Sequence, residues 1–355
     1  MKSLFTLVIV TVSLTLYGQT KYSNEFMNIG VDAAALGMSN AVTANTNDVN
    51  AGYWNPAGLV NLEDSQLALM HSSYFANIAN YDYLAFAKPI DDRSALGISV
   101  IRFAVDDILD TTQLIDDQGA VNYDRVSSFS TADYGVTLSY SRRLPVQGFS
   151  YGINAKVIRR VIGDFANSWG FGLDAAIQFE ARKNWKFGIM ARDITTTYNS
   201  WSYDDEALAR IQDAIDGQNQ EIPESTEITI PKLQIGISKS YIFHYDYSLR
   251  AELDLNIRFE ENNDIFSTSF ASINPAFGFE FGYIDMIYLR GGVGNFQNEL
   301  QIDDTSENLT FQPSLGVGFK YKGIHVDYAF TDIGDQSVAL YSNVFSVKLD
   351  LSIFR

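Results

Sequence analysis

The sequence predicts an all-β protein, a single transmembrane antiparallel β-barrel of about 14 strands with an N-terminal hatch or plug segment. Three observations carry this prediction. The chain begins with an export signal, most of the remainder alternates between apolar and polar residues, and the connections between alternating segments are short and long in turn. Because a bilayer-spanning chain must satisfy its backbone hydrogen bonds internally, alternating strands in an exported protein indicate a closed barrel.

Composition narrows the class of protein. The 355 residues include 25 Lys+Arg against 43 Asp+Glu, a net charge of −18, with 46% hydrophobic residues and no Cys. Binding to phosphates needs clustered basic residues, so the charge argues against a nucleic-acid partner. The lack of Cys excludes a disulfide scaffold, a thiolate zinc site, a cysteine nucleophile and a lipoprotein anchor.

Residues 1–19 predict a signal peptide that is cleaved. Lys2 supplies a positive charge, residues 4–16 form an apolar run, and Gly18 places a small residue near the cleavage site. The run is shorter than the roughly 20 apolar residues of a transmembrane helix. An N-terminal core helix is the alternative, although no amphipathic stripe supports it. We therefore expect the mature chain to leave the cytoplasm for the outer membrane.

Residues 65–355 form the predicted barrel because apolar and polar residues alternate along them. Trp169, Phe171 and Leu173 alternate with glycine and aspartate, and residues 247–259 repeat the pattern. Successive side chains of a strand point to opposite faces, and about 9–11 residues suffice for a tilted strand to cross a membrane. The fourteen alternating segments begin near residues 66, 80, 95, 131, 149, 168, 184, 230, 245, 272, 286, 310, 323 and 343.

The length of each connection depends on whether the segment before it is even-numbered or odd-numbered. The connections after even-numbered segments are short, as at residues 144–148 and 181–183, whereas most others are long, as at residues 104–130, 195–229 and 295–309. Short periplasmic turns that alternate with longer outer loops are typical of outer-membrane barrels. A soluble sandwich has no reason to sort its loops in this way.

Glycines recur among the alternate residues that form the polar face of the predicted strands. Glycine inside a strand marks either the close approach of another backbone or a bend, so an occupied lumen and barrel curvature both remain open. The glycines concerned are Gly135, Gly152, Gly170, Gly172, Gly188, Gly236, Gly278, Gly282, Gly316 and Gly318.

Residues 20–64 do not alternate and form a predicted hatch-like segment. An alanine-rich stretch occupies residues 30–38, and the pair Asn55-Pro56 disfavours helix at Asn55. A compact segment of this kind could fill a glycine-lined lumen. The alternative is an ordinary periplasmic extension.

Two motifs in this segment, residues 32–38 (DAAALGM) and 53–59 (YWNPAGL), resemble the PorV/PorQ family of outer-membrane proteins. That family is similar to the long-chain fatty-acid transporter (FadL-like) barrels, so the resemblance implies a FadL-like barrel with an N-terminal hatch. It covers only about residues 28–62, and Ser39-Asn40 stand where the family often has a further glycine, which leaves the subfamily open. The structural hatch motif comprises Gly37, Met38, Trp54, Asn55, Pro56, Ala57 and Gly58.

The resemblance implies a part in type IX protein secretion, in which the barrel binds the translocon barrel or secreted cargo with a C-terminal signal through its periplasmic or extracellular loops. The alternative is a FadL-like transporter of hydrophobic small molecules. A transporter needs an apolar pocket, yet the inward parity is polar, as at Arg250, Glu252, Asp254 and Arg258. The sequence therefore favours secretion, with outer-membrane lipid as a further partner.

The long loop after the seventh segment predicts a short amphipathic helix within residues 201–217. Leu208, Ile211 and Ile215 recur at helical spacing after an acidic first turn, and Gly217 suits the C-terminal end. The apolar stripe either docks on a partner or folds back over the barrel mouth.

The sequence predicts no catalytic, cofactor or metal site. His71, His244 and His325 are far apart in sequence, and no nucleophile, phosphate-loop or zinc-protease motif occurs. Acidic loop pairs such as Asp204-Asp205 lack EF-hand spacing. We interpret them as solvated charge, with divalent-ion binding as the alternative.

Overall fold

The alternating segments form strands that pair in chain order around a central lumen. The structure is a computed structural model that describes residues 23–74, 78–115, 119–207, 209, 225–300, 307–331 and 342–354. The strands within these ranges are β1 (Gln66–Tyr74), β2 (Ala79–Asp91), β3 (Ser94–Asp110), β4 (Ser127–Arg143), β5 (Phe149–Ile162), β6 (Ala166–Ala181), β7 (Trp185–Arg192), β8 (Thr197–Tyr203), β9 (Thr226–Thr229), β10 (Lys232–Phe243), β11 (Tyr247–Arg258), β12 (Phe266–Ser267), β13 (Ser272–Tyr283), β14 (Ile287–Leu300), β15 (Glu307–Tyr321), β16 (Ile324–Thr331) and β17 (Ser342–Asp350).

The helices in the described ranges are short. They are α1 (Ala33–Leu36), α2 (Ala51–Trp54) and 3-10 turns at Glu25–Asn28, Pro56–Asn61, Tyr123–Arg125, Arg182–Asn184 and Leu351–Phe354. Among these residues, no helix is long and apolar enough to cross a bilayer.

The sheet closes on itself because β1 pairs with both β2 and β17. Two strands of the ring are interrupted. β7 and β8 both pair with β6 and flank residues 193–196, while β9 and β10 flank residues 230–231. When each interrupted strand is counted once and the two-residue β12 is left out, fourteen strands surround the lumen, which confirms the predicted fold class.

The strands begin close to their predicted positions. The largest offsets are at β4, which begins at Ser127 instead of near residue 131, and at β9, which begins at Thr226 instead of near residue 230. The outer connections differ more from the prediction. β3 and β4 extend into residues 104–130 from both ends, to Asp110 and from Ser127, and residues 195–229 contain β8 and β9. The connection from β5 to β6 is short, at residues 163–165, so the predicted contrast in loop length fails there.

The two faces of the wall follow the predicted parity. On β11, Leu253 faces outward with an exposed fraction of 42%, whereas its neighbour Asp254 is fully buried in the lumen. Aromatic rings line the periplasmic edge of the exterior, where the Phe149 and Phe179 centroids lie 4.2 Å apart. An apolar exterior with an aromatic rim is the surface that a membrane barrel presents to lipid.

Candidate functional site: the plugged lumen

Residues 23–62, called the hatch below, pass through the barrel from its outer half to its periplasmic rim. At the outer end, Ser23 Oγ lies 2.9 Å from Thr229 Oγ1. At the periplasmic end, Arg143 Nη2 donates to the carbonyl oxygen of Val60 over 3.2 Å. Most hatch side chains are buried, so this segment supplies much of the core of the molecule.

The glycines of the wall leave room for the hatch backbone. A Cβ at Gly188 would lie 2.2 Å from the carbonyl oxygen of Thr43, and one at Gly152 would lie 2.3 Å from the Ala57 nitrogen. The glycines that meet the hatch are Gly135, Gly152, Gly188, Gly236, Gly278 and Gly316. Of the two explanations open from the sequence, an occupied lumen therefore accounts for most of these glycines.

The remaining glycines of that set face the wall itself. A Cβ at Gly170 or Gly172 would collide with Asn199 or Thr197 of β8, and one at Gly318 would meet Asp327. At Gly282 it would meet Ser248. These positions make room for wall side chains that turn into the lumen.

Two carboxylates of β11 hold one hatch turn through its backbone. Asp254 Oδ2 accepts hydrogen bonds from the Val42 and Thr43 nitrogens at 3.1 and 3.0 Å, and Glu252 Oε1 accepts one from the Ala44 nitrogen at 2.6 Å. Both carboxylates are buried. These three backbone hydrogen bonds to buried acceptors anchor the hatch to the wall.

Asn55 and Pro56 of the hatch motif shape the turn between α2 and the following 3-10 turn. Asn55 Nδ2 donates to the Thr43 carbonyl oxygen at 2.9 Å, while its Oδ1 accepts from the Ala57 nitrogen at 3.1 Å. Pro56 begins the turn, where its missing N–H costs nothing. Gly58 packs against Thr46, because a Cβ there would lie 2.2 Å from the Thr46 carbonyl oxygen.

The other motif residues also lie inside the lumen. Trp54 Nε1 donates to the Val31 carbonyl oxygen at 3.0 Å. Met38 packs on Gly278, and Gly37 approaches Gly316 so closely that a Cβ on Gly37 would lie 2.9 Å from its Cα. The structure thus brings all seven motif residues together in the hatch, although their functional role stays a prediction.

A buried lysine stabilises the interruption between β7 and β8, a feature that the sequence interpretation missed. Lys156 Nζ lies 2.7 Å from Asp174 Oδ1 and 2.5 Å from Asp193 Oδ1. Thr197 Oγ1 donates to the same Asp193 oxygen at 2.5 Å. The alternation places Lys156 and Asp174 inside the barrel, and this was the only sequence signal for the cluster. Asp193 lies between β7 and β8, where no strand pattern applies.

A second group of ion pairs lies among β13, β14, β16 and β17, and one of these pairs reaches the hatch. Arg290 contacts Glu280 and Asp327 at 2.6 Å each, and Lys348 of β17 pairs with Asp48 of the hatch. The Arg290 pairs hold wall strands together, and the Lys348–Asp48 pair alone in this group joins the hatch to the wall. Removal of either partner of that pair would leave a buried charge unpaired.

The pKa values of two buried hatch carboxyls shift in opposite directions. Burial raises the pKa of Asp32 to about 6, against the opposing effect of the Lys348 ammonium. Burial also acts to raise the pKa of Asp48, but the adjoining Lys348 outweighs it and holds that pKa below its usual value. The charge of Asp32 is therefore the one that changes near neutral pH.

A cavity of about 290 Å³ lies between the hatch and the wall. Its border combines apolar side chains from the hatch with cations from the wall. These are Ile29, Leu36 and Trp54 on the hatch and Arg192, Lys232 and Arg258 on the wall.

Two of the cavity cations also contact the hatch. Arg192 Nη2 donates to the Tyr53 carbonyl oxygen at 2.9 Å, and Lys232 Nζ lies 2.8 Å from Glu25 Oε1. Sequence parity placed charge inside the barrel but could not show the apolar hatch surface opposite it.

The predicted loop helix is only partly described. Leu208, Ile211 and Ile215 lie outside the described residues. Trp201 belongs to β8, and residues 205–207 are helical. Asp204 Oδ1 accepts from the Ala207 nitrogen at 2.8 Å, so any helix here begins after β8 and not at residue 201.

No family model and no curated protein matches the sequence. Similar solved structures include the Pseudomonas putida toluene transporter TodX, at 11% identity and a TM-score of 0.56, which covers 90% of this chain and 98% of that chain. The CymD monoaromatic hydrocarbon channel has 12% identity and a TM-score of 0.53, with coverages of 90% and 97%. A FadL homologue from Pseudomonas aeruginosa has 13% identity and a TM-score of 0.50, with coverages of 90% and 98%.

The closed fourteen-strand wall with its apolar exterior defines an outer-membrane β-barrel, as predicted. Its fold is FadL-like, which confirms the coarser part of the resemblance. The comparisons lend no support to PorV/PorQ membership or to type IX secretion.

Proposed function

We propose that this barrel carries small hydrophobic or amphipathic molecules across the outer membrane. The observation that supports the proposal is the cavity of about 290 Å³ between the hatch and the wall. Ligand pockets in proteins measure about 300–1,000 Å³, so the cavity suits a small solute. The names of the similar solved structures, a toluene transporter and a monoaromatic hydrocarbon channel, support the same direction.

The cavity has the apolar surface that the inward-facing residues of the strands lack. Polar inward residues argued against a transporter, but Ile29, Leu36 and Trp54 reach the cavity from the hatch. With Arg258 on the opposite side, the surface matches a solute that has an apolar body and an acidic group. The preferred function therefore moves from secretion to transport.

Transport requires the hatch to move, because residues 23–62 occupy the lumen. The hatch is held by polar and ionic contacts at both ends and by glycine contacts between them. The polar and ionic contacts can be exchanged for contacts with water or solute, and the apolar cluster that the hatch forms mainly with β1, β2 and β3 must separate when the hatch moves. We therefore assign the hatch the role of a gate.

Uptake by cells that lack a FadL-like transporter tests the proposal. Cells that produce this chain should take up radiolabelled toluene or a medium-chain carboxylate faster than cells that produce no barrel, with no gain for a sugar. Ala276→Trp should abolish the gain, because Ala276 is buried at the edge of the cavity. Ala251→Trp on the lipid face of β11 is the matched control and should transport normally.

The heat-dependent gel shift of a folded barrel shows that each variant is assembled. Uptake equal to that of barrel-free cells, or undiminished uptake by a folded Ala276→Trp variant, would contradict the transport proposal.

A partner-binding role in type IX secretion is the second candidate, and the outer surface supports it. Tyr123, Leu109 and Ile115, beyond the membrane near the β3–β4 connection, have exposed fractions of 78%, 67% and 63%. Exposed apolar side chains in one region favour a protein contact. Purification from the native membrane discriminates, because a secretion role requires a translocon barrel or cargo with a C-terminal signal to co-purify.

A further inference from the structure

The apolar belt around the barrel is tall on one side. β11 presents six outward apolar residues in succession from Tyr247 to Ile257, and β13 and β15 do the same from Tyr283 to Ile273 and from Tyr321 to Phe311. Ten residue steps span about 33 Å along a strand, or about 25 Å of height at a tilt near 40°. This side, called the tall belt below, matches the hydrocarbon thickness.

On β1, β2 and β3 the belt is much shorter, and this exterior is called the seam face below. β2 has only Leu84 and Phe86 between the outward Asp82 and Lys88. On β3 the apolar residues Leu96, Ile98 and Val100 end at Arg102, and on β1 Leu67 and Leu69 end at His71. A run of two or three outward residues covers about 7–13 Å of strand, well under what hydrocarbon requires.

The polar residues that end the short belt form one ionic network on the exterior. His71 Nδ1 lies 2.7 Å from Asp82 Oδ1, and Arg102 Nη1 lies 3.2 Å from Asp82 Oδ2. The three side chains are exposed by 59%, 39% and 36%. They are direct cross-strand partners, so they form a continuous stripe across β1, β2 and β3.

The register of the sheet places this stripe well below the outer rim. A row of directly paired residues starts at Tyr241 near the periplasmic end of β10 and passes through Leu249, Val317 and His71. It continues through Arg102 and ends at Thr226, at the outer end of the same interrupted strand. His71 stands at the midpoint of this circuit, about 20 Å above its lower end, so the stripe lies towards the outer end of the tall belt.

We propose that outer-leaflet lipid headgroups contact the seam face, so that the barrel thins the outer membrane locally at this side. A charged network exposed to hydrocarbon is unfavourable, although the cost is smaller near the outer interface than at the bilayer centre. The patch is continuous with the aqueous surface, since the directly paired Ser73 and Asn80 extend it to the outer ends of β1 and β2. Headgroups therefore reach the stripe without passing through apolar surface.

The periplasmic side of the seam shows the same shortening. Lys88 on β2 and Arg142 on β4 face outward immediately below the apolar residues Phe86 and Tyr140. Long cationic side chains at these positions suit phosphate groups of the inner leaflet. The belt is thus bounded by polar groups on both sides, which a lateral protein contact at one depth would not require.

Depth-dependent quenching tests the proposal directly, and the chain has no native Cys to interfere with labelling. Leu84→Cys and Leu253→Cys each place a fluorescent probe near the middle of a strand, on the seam face and the tall belt. In phosphatidylcholine vesicles, a quencher attached at the headgroup should quench the probe at residue 84 severalfold more than that at residue 253. Equal quenching would overturn the proposal, as would shielding of residue 84 from both headgroup and acyl-chain quenchers, which would indicate a protein contact.

A change of bilayer thickness provides a second, independent test. The combined variant His71→Leu, Asp82→Leu and Arg102→Leu lengthens the short belt. Across vesicles from dilauroyl to dioleoyl phosphatidylcholine, folding of the natural chain should fall steeply with thickness, and this variant should fall severalfold less. The control is Ser128→Leu, Ser130→Leu and Ser202→Leu, exposed positions above the belt. Identical thickness dependence in the natural chain and the first variant would overturn the proposal.

Discussion

The outer and inner surfaces of the barrel wall place different demands on their residues, and β11 shows both. Leu253 faces lipid and has only to be apolar, whereas Asp254, one residue further, accepts two backbone hydrogen bonds from the hatch. Lipid is a solvent without fixed shape, so many apolar side chains serve equally well outside. The hatch has a fixed backbone, so the inner surface needs particular glycines and carboxylates at particular positions.

The largest expected effect comes from placing a charge on the outer surface. Leu253→Arg at mid-height of the tall belt should lower the free energy of unfolding by about 2–4 kcal/mol, the depth-dependent value for barrels. Leu69→Arg on β1 should cost about 1 kcal/mol or less, because the polar His71 lies close by. Denaturant titration in vesicles measures both. Equal losses would show that the exterior is uniform around the barrel.

The outer surface was largely predictable from the sequence because it depends on a pattern within each single strand. Period-two alternation fixes which residues of 247–257 face lipid, and one strand suffices to show it. The second segment departs from the usual pattern, and the structure explains why. Tyr81 and Tyr83 of β2 point inward to the hatch while Asp82 points outward, so the usual polarity of the two faces is reversed.

The inner surface was only partly predictable because its partners are distant in sequence. The glycines indicated an occupant or curvature but could not choose between them. The anchors of Val42 and Thr43 on Asp254 join residues more than 200 positions apart. The interruption at residues 193–196 depends on Lys156, which no local pattern connects to it. Contacts between residues so far apart produce no periodic pattern in the sequence.

Proton binding by Asp32 should make hatch stability depend on pH. Its pKa is raised to about 6 by burial, above the ordinary value of about 4. The stability that the neutral carboxyl contributes is complete below the ordinary pKa and is lost as pH rises through the raised one. The hatch should therefore loosen between about pH 4 and pH 6, by up to about 3 kcal/mol.

Hydrogen exchange of the hatch, corrected for the intrinsic pH dependence of amide exchange, measures this loosening. The Asp32→Asn variant cannot ionise at this position and should lose the dependence across that range. A natural chain whose corrected hatch exchange is flat, or a variant with the same slope, would refute the assignment to Asp32.

Filling a glycine on the inner surface should displace the hatch without harming the wall. Gly152→Val brings its Cβ to 2.3 Å from the Ala57 nitrogen, and overpacking against backbone costs about 1–3 kcal/mol. Ala155→Val on the outward face of the same strand is the matched control and should be nearly neutral. Exchange of the hatch should quicken in the first variant alone. Equal protection in both would mean that the hatch does not need this glycine.

The smallest expected effect separates charge from shape on the inner surface. Asp254→Asn keeps an oxygen that can accept from Val42 and Thr43, so it removes only the charge contribution, about 1 kcal/mol. Relief of repulsion from the adjoining Glu252 offsets part of this loss, because both carboxylates are buried side by side on β11. Exchange at residues 42–44 should quicken several-fold, while the denaturant midpoint of the barrel stays unchanged. Asp92→Asn in an exposed periplasmic turn should change neither quantity. If the midpoint fell with Asp254→Asn as it falls with Leu253→Arg, the two surfaces would not be energetically separate, and the hatch would be a structural core instead of a movable gate.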